Sequence, residues 1–394
     1  MTWKVVEELR NILEIFVVSF KLGCTSFGGP TAHLGYFQNE YVQNRQWLTD
    51  KEYSNLVALS QFLPGPASSQ VGMGIGLLRG GLLGSIASFI GFTLPSVLLL
   101  MVFAYFYAHT EMEMEWIHGL KLVAVAIVAQ AIWDMSKKLI PSLRHFLITL
   151  LALSVLLFWM NPFAQMVVII VAALVGMKFL KESTANKESA GIILPISKTT
   201  ATLLLLLFVI LLIGLPVASS LFQFEWLTII EKFYISGALV FGGGHVVFPL
   251  LETQFVQSGL ISPSDFITGY GVTQAVPGPL FTFASYIGML IGGIPGAIVA
   301  TIAIFLPAFL LIVGVLPFWM TISRVARLKG MMAGVNAAVV GILAAAFIHP
   351  IVTQSIQGGM DILIAIGLLV LLIRWKIQPY LLVIVGIGVG VIFY

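Results

Sequence analysis

Two kinds of glycine and proline cluster, each present twice, are the residues best suited to hold an anion. Gly28-Gly29-Pro30 returns 214 residues later as Gly242-Gly243-Gly244, and Pro64-Gly65-Pro66 returns 213 residues later as Pro277-Gly278-Pro279. Each cluster interrupts an apolar run, so a helix is expected to restart after it in apolar surroundings. A helix start presents unpaired N–H groups and the positive end of a dipole, which together attract negative charge. Glycine lets a ligand reach the backbone, and proline holds the break. Polar side chains stand beside the breaks: Gln61, Ser68, Ser69 and Gln70 in the first half, His245, Gln274 and Thr282 in the second. One such break is more often a packing kink, but four at repeat-related positions are the pattern of a transporter binding site.

Two cations are candidates for the countercharge. Lys121 lies within the apolar stretch 119–132, with Asn336 as its second-half match, and Arg79 precedes Gly80-Gly81 between apolar segments. A charge there is costly unless it faces a cavity or a partner, although Arg79 can also snorkel to an interface. His33 and His245 follow the glycine clusters at unmatched positions, where hydrogen bonding is the plainer role. Glu52 and Asp265 are explained by helix capping. On this reading Gly28→Leu, Gly65→Leu and Lys121→Ala each abolish transport in a chain that still inserts.

The elements that position these residues follow from composition. With 59% hydrophobic residues, 9% charged and a mean hydropathy of +1.03, this is a polytopic membrane protein. Strand-length alternation is absent, so the expected fold is all-α, with roughly 10–14 membrane helices including short broken ones. Thr49 to Glu52 is a capping box, and Ser262-Pro263 opens its counterpart. The helices they start end at Pro64 and Pro277, too short to cross a bilayer. Longer helices follow at 82–108 and 294–320, with interruptions expected at Pro95 and Pro307.

Lys137, Lys138 and Arg144 mark a cytoplasmic side, opposite the acidic stretch Glu111 to Glu115, whereas the second-half loop matching that acidic stretch carries Arg324, Arg327 and Lys329. The two repeats are therefore inverted, although Arg45 and Lys51 do not fit this alternation. The expected organisation is a first repeat over 1–180, a cytoplasmic linker over 181–198, a connecting helix over 199–218 that inversion requires, and a second repeat over 219–394.

Several classes are excluded. One cysteine, Cys24, cannot form a disulfide or a cysteine metal site within the chain. No basic run suits nucleic acid, and no glycine-rich loop ends in Gly-Lys-Ser/Thr. No catalytic pair and no cofactor site is read from the sequence, so the chain is not expected to be an enzyme. Its partners are the lipid bilayer and a small anion; a homodimer stays open.

Three first-half stretches resemble the chromate ion transporter family: Phe27-Gly28-Gly29-Pro30-Thr31-Ala32-His33, Gln61-Phe62-Leu63-Pro64-Gly65-Pro66-Ala67-Ser68-Ser69-Gln70 and Gly91-Phe92-Thr93-Leu94-Pro95-Ser96. In the second half, Phe241-Gly242-Gly243-Gly244-His245 and Gln274-Ala275-Val276-Pro277-Gly278-Pro279 are similar to its other repeat. The likeness covers nearly the whole chain and corresponds to the long, two-domain form. It implies a multi-pass inner-membrane carrier that exports chromate and confers chromate resistance, with sulfate as a related tetrahedral dianion.

Overall fold

The computed structural model describes residues 2–109, 114–159, 161–180, 196–241, 243–322 and 325–394. Glu111, Glu113, most of the expected linker, Gly242 and Arg324 lie outside the described residues. Among the described residues every regular element is a helix.

Helix α1 (Thr2–Thr25) stops just before the first glycine cluster, and α2 (Gly29–Phe37) restarts after it, continuing as a π-helical turn over Gln38–Asn44. α1 runs alongside the helix that contains Phe92: Ser19 Oγ donates to Ser88 Oγ at 3.1 Å, and Gly23 abuts the Phe92 backbone. α2 comes back along the same helix, with the His33 and Phe37 rings on Phe92 and the Tyr41 hydroxyl 3.0 Å from Ser19 Oγ. α1 and α2 are thus the arms of a re-entrant hairpin whose tip is the glycine cluster.

A second hairpin follows. α3 (Asp50–Phe62) begins at the expected capping box, where Thr49 N–H donates to Glu52 Oε2 at 2.8 Å and Glu52 N–H to Thr49 Oγ1 at 3.2 Å. α4 (Ala67–His109) starts after Pro64-Gly65-Pro66 and turns back on itself at Gly80 and Gly81, the latter at φ 63°. Leu56 packs on Gly74 across the Pro-Gly-Pro tip, so α3 and the first arm of α4 are antiparallel. Both hairpins of the first half therefore enter and leave on one face. This settles the path from Pro30 to Arg79, and it puts Arg45 and Lys51 on the same side as Arg79, in line with the positive-inside rule.

The long second arm of α4 crosses, α5 (Met114–Leu139) returns, and α6 (Leu143–Phe158) and α7 (Pro162–Phe179) complete the half. α8 (Lys198–Phe222) makes the extra crossing that inversion needs. It is followed by α9 (Glu225–Ala238), the counterpart of α1, which the sequence reading did not separate because Glu225, Glu231 and Lys232 break its apolar run.

The second half then repeats the hairpins from the opposite face. A 3-10 turn (Gly244–Val246), α10 (Val247–Leu251) and a π turn (Glu252–Val256) match α2, and α11 (Pro263–Thr273) matches α3, capped by Ser262 as expected. α12 (Phe283–Val315) turns at Gly292 and Gly293 as α4 does, and α13 (Trp319–Ile322) follows it. α14 (Ala326–Ala346), a π turn through His349, α15 (Thr353–Ser355), α16 (Gly359–Arg374) and α17 (Pro379–Phe393) end the chain.

The expected interruptions at Pro95 and Pro307 do not occur. Both prolines are buried inside α4 and α12, and the only residues of those helices that leave helical geometry are the Gly80-Gly81 and Gly292-Gly293 pairs. A proline there removes one intrahelical bond, which tight packing of neighbouring helices tolerates.

The halves interlock. α6 and α7 pack on α14 of the other half, where Thr149 Oγ1 donates to Ala337 O at 2.7 Å and a Cβ at Gly176 would overlap the Gly330 carbonyl. α16 and α17 pack on α5, with Gly119 against the Gly386 carbonyl. Small residues let these backbones meet, the usual driving contact between helices in lipid. Lys137, Lys138, Arg144, Arg327, Lys329, Arg374 and Lys376 all emerge on the face shared by Arg45 and Arg79, which the positive-inside rule assigns to the cytoplasm.

Candidate functional site

The four breaks meet at the centre of the molecule. Each hairpin tip is tied to the other half by one backbone bond: Gly65 N–H donates to Val240 O at 2.8 Å, and Gly278 N–H to Ser26 O at 2.9 Å. Val240 and Ser26 are themselves 214 residues apart, so the two bonds are copies related by the repeat. The glycine clusters also face each other, because a Cβ at Gly244 would lie 3.2 Å from Pro30 Cγ. Gly28 and Gly29 have φ of 93° and 76°, a left-handed backbone that costs other residues about 1–2 kcal/mol. α2 consequently starts at Gly29, with Pro30 in its first turn and its free N–H groups directed at the centre.

A cavity of about 480 Å³ reaches this centre from the lysine-bearing face. Its floor holds Gly28, Gly29, Pro30, Gly243, Gly244, His245, Gln274 and Gly278; its mouth holds Asp134, Lys138, Lys376 and Gln378. Gln274 is buried, and its Nε2 has no hydrogen-bond partner. His245 Nδ1 lies 2.8 Å from the Tyr270 hydroxyl, which fixes the ring at the cavity wall.

The remaining expected site residues fall elsewhere. Pro64, Gly65, Pro66, Ser68, Ser69, Pro277, Pro279 and Thr282 surround the tips without lining this cavity; Ser68 Oγ is 3.3 Å from His33 Nδ1, and Thr282 Oγ1 donates to Pro279 O at 2.7 Å. Gln61, the repeat partner of Gln274, is exposed, and Asn336 is half-buried within α14. Arg79 is ion-paired with Glu14 at 2.9 Å and stacked 4.2 Å above the Trp47 ring, at the basic face. Lys121 is half-buried in the opposite half of α5, within electrostatic range of Asp265. Ser26, Ser60, Ser69 and Thr93 hydroxyls and His33 Nε2 are buried without partners around the tips. The breaks therefore sit in a polar interior.

Sequence reasoning missed Gln130, Asp134 and Lys138. They recur every four residues on α5 and so form one polar stripe along the cavity wall. The sequence reading used Lys138 only as a marker of sidedness.

A second, much smaller cavity of about 20 Å³ lies towards the other face, lined by Leu156, Asn161, Gln165, Glu252, Ala345, Ala346 and His349 among others. Its α14 wall is the repeat copy of the α5 wall of the large cavity. Ile127 and Ile342, Gln130 and Ala345, Ala131 and Ala346, and Asp134 and His349 are each 215 residues apart, as are Asn161 and Lys376. Two cavities with repeat-related α5 and α14 walls thus lie towards opposite faces, one wide and reaching the glycine breaks, the other small and short of them.

The family description "Chromate transporter" matches the chain twice, over residues 13–177 and 227–391. The chain belongs to the chromate transporter family. It is 29% identical to an uncharacterized transporter of Methanocaldococcus jannaschii over 96% of this chain and 90% of that protein. It is 28% identical to a probable chromate transport protein of Synechococcus elongatus, covering 98% of this chain and 96% of the relative. A chromate transport protein of Cupriavidus metallidurans is 27% identical, with 98% and 93% covered. No solved structure matches the chain significantly. The family, the apolar crossings and the inverted helical repeats identify a multi-pass membrane transport protein.

Proposed function

We propose that this chain exports chromate, a tetrahedral oxyanion, across the cytoplasmic membrane by alternating access. The observation that carries the proposal is the wide cavity of about 480 Å³ that reaches Gly28-Gly29-Pro30, Gly243-Gly244 and Gly278 from one face, set against a repeat-related cavity of only about 20 Å³ towards the other. In this reading the structure is the inward-open form. The anion enters past Lys138 and Lys376 and is held at the floor by N–H groups of the α2 start and of Gly243-Gly244, with the Gln274 amide as a further donor. When the interlocked halves rock, Gln61, Gly65 and Ser69, the repeat partners of Gln274, Gly278 and Thr282, become the outward-facing wall. Lys138 and Lys376 supply the positive charge, and Arg79 and Lys121 stay outside the anion's path. An inside-negative potential drives an anion outward by about 2.3 kcal/mol per charge per 100 mV.

The direct test is uptake of labelled chromate into inverted membrane vesicles carrying the chain, with and without an imposed potential and with excess sulfate. Saturable uptake above empty vesicles that grows with the potential is expected. Uptake equal to the control from correctly inserted protein overturns the proposal. Sulfate has the same charge and a similar shape, so competition by sulfate would widen the substrate class to tetrahedral dianions.

A further inference from the structure

We propose that Glu252 is a proton-binding site that latches the outer vestibule shut, taking a proton from external water as the vestibule closes and returning it as the vestibule opens. The inference rests on the alternating-access reading above.

Glu252 is 5% exposed and lines the small cavity, on the π turn that ends the broken helix after the second glycine cluster. The cavity is lined by α6 and α7 of the first half and by the π turn and α14 of the second, so it lies where elements of the two halves meet. Its volume of about 20 Å³ has room for a single water, enough to carry a proton to the carboxylate.

Among the described residues no cation pairs with the carboxylate. Its Oε2 accepts from Gln257 Nε2 at 3.2 Å and from Thr253 Oγ1 at 3.3 Å, both neutral. On α9, Lys232 turns its Nζ to the Gln254 carbonyl at 2.9 Å, next to Glu231. On α11, Asp265 is engaged by Tyr107 and Ser262, and Tyr270 by His245. The residues that α6, α7 and α14 contribute to the cavity are uncharged: Leu156, Gln165, Ile342, Ala345 and Ala346, with Asn161 just ahead of α7. His349 is the one other titratable side chain among the described lining residues, and its Nδ1 is 3.3 Å from the Thr353 hydroxyl. A buried carboxylate without a countercharge is costly, and binding a proton removes that cost. The fold does not ask for an acid here, because the repeat partner 214 residues earlier is Gln38, whose amide donates to Asp50 on the surface.

The balance is one proton per gate movement. The carboxylate gains H⁺ when buried and loses it to external water when hydrated, so external acid favours the inward-open form and external alkali the outward-open form.

The test uses the full chain in right-side-out vesicles with Cys24→Ser and a reporter Ala345→Cys on the outer cavity wall. Labelling by a membrane-impermeant thiol reagent is followed against external pH, and every rate is referred to the same reporter in Glu252→Gln, which cancels the reporter thiol's own titration. The expected result is that relative labelling rises with pH when Glu252 is present, and that Glu252→Asp and His349→Gln keep the rise. If Glu252→Gln fails to insert, Glu252→Met provides the neutral reference. An identical pH profile with and without the carboxylate, or a rise lost with His349→Gln, overturns the proposal. The reporter needs no substrate, so this result stands apart from failure of the chromate reading.

Discussion

The two cavities are copies of one design in different states. Gln130 on α5 and Ala345 on α14, or Asp134 on α5 and His349 on the π turn after α14, stand at equivalent places, and the tip bonds from Gly65 and Gly278 are equally short at 2.8 and 2.9 Å. Yet one cavity holds about 480 Å³ and the other about 20 Å³, little more than a water. The shared backbone bonds set where the halves meet, and the packing of the last two helices of each half sets which side is open. The lining also differs in charge: Lys138 and Lys376 stand at the wide mouth, whereas the shut copy has Glu252 and no lysine or arginine among its described lining residues. On the proposed export reading, the cytoplasmic mouth attracts the anion and the outer one lets it go.

The strongest way to break this comparison is Gly28→Leu. The side chain would force a left-handed backbone at a cost of about 1–2 kcal/mol and crowd Ala32 and Gln378. Flux in vesicles is expected to fall to background while size-exclusion chromatography shows a normally inserted protein. Unchanged flux would mean that the wide cavity is not the route.

Cysteine accessibility sharpens the comparison next. In a Cys24→Ser background, Gln130→Cys is expected to react with an impermeant reagent from the cytoplasmic side many times faster than Ala345→Cys does from the outer side at neutral pH. Equal rates would remove the asymmetry.

Charge at the mouth is expected to act on entry. Steering by a focused cationic mouth raises association rates by about 10–10³, so Lys138→Ala combined with Lys376→Ala is expected to lower kcat/KM about 10-fold at low salt. Flux measured against ionic strength checks this, because the deficit is expected to shrink as salt screens the lysines.

The smallest effect is expected at Arg79. Its partly exposed pair with Glu14 contributes about 1 kcal/mol or less, so Arg79→Ala is expected to leave flux within about twofold and lower the midpoint of thermal unfolding slightly. Loss of transport in that variant would move the countercharge away from Lys138 and Lys376.

Much of the architecture was legible from residues alone. Apolar length called the helices, inversion followed from the acidic stretch Glu111 to Glu115 being matched across the repeat by Arg324, Arg327 and Lys329, and the breaks followed from glycine and proline. These are local properties: a proline lacks its N–H and glycine accepts positive φ wherever the chain places them. The capping boxes are local too, and Thr49 and Ser262 cap as expected.

What tertiary structure decided is everything that depends on which surfaces touch. Arg79 and Lys121 looked alike as charges in apolar sequence, but Glu14 and Trp47 claim the first, and the second faces Asp265 far from the wide cavity. The stripe Gln130-Asp134-Lys138 became a cavity wall only because α16 and α17 cross from the other half to pack on α5. Pro95 and Pro307, breakers by residue type, stay inside continuous helices because close packing compensates one missing hydrogen bond. Sequence determines where the backbone can break, a property of each residue and its neighbours. Which breaks meet and which face lies open is settled by contacts between segments far apart in the chain, such as Gly65 with Val240 and Gly119 with Gly386, and no local signal encodes them.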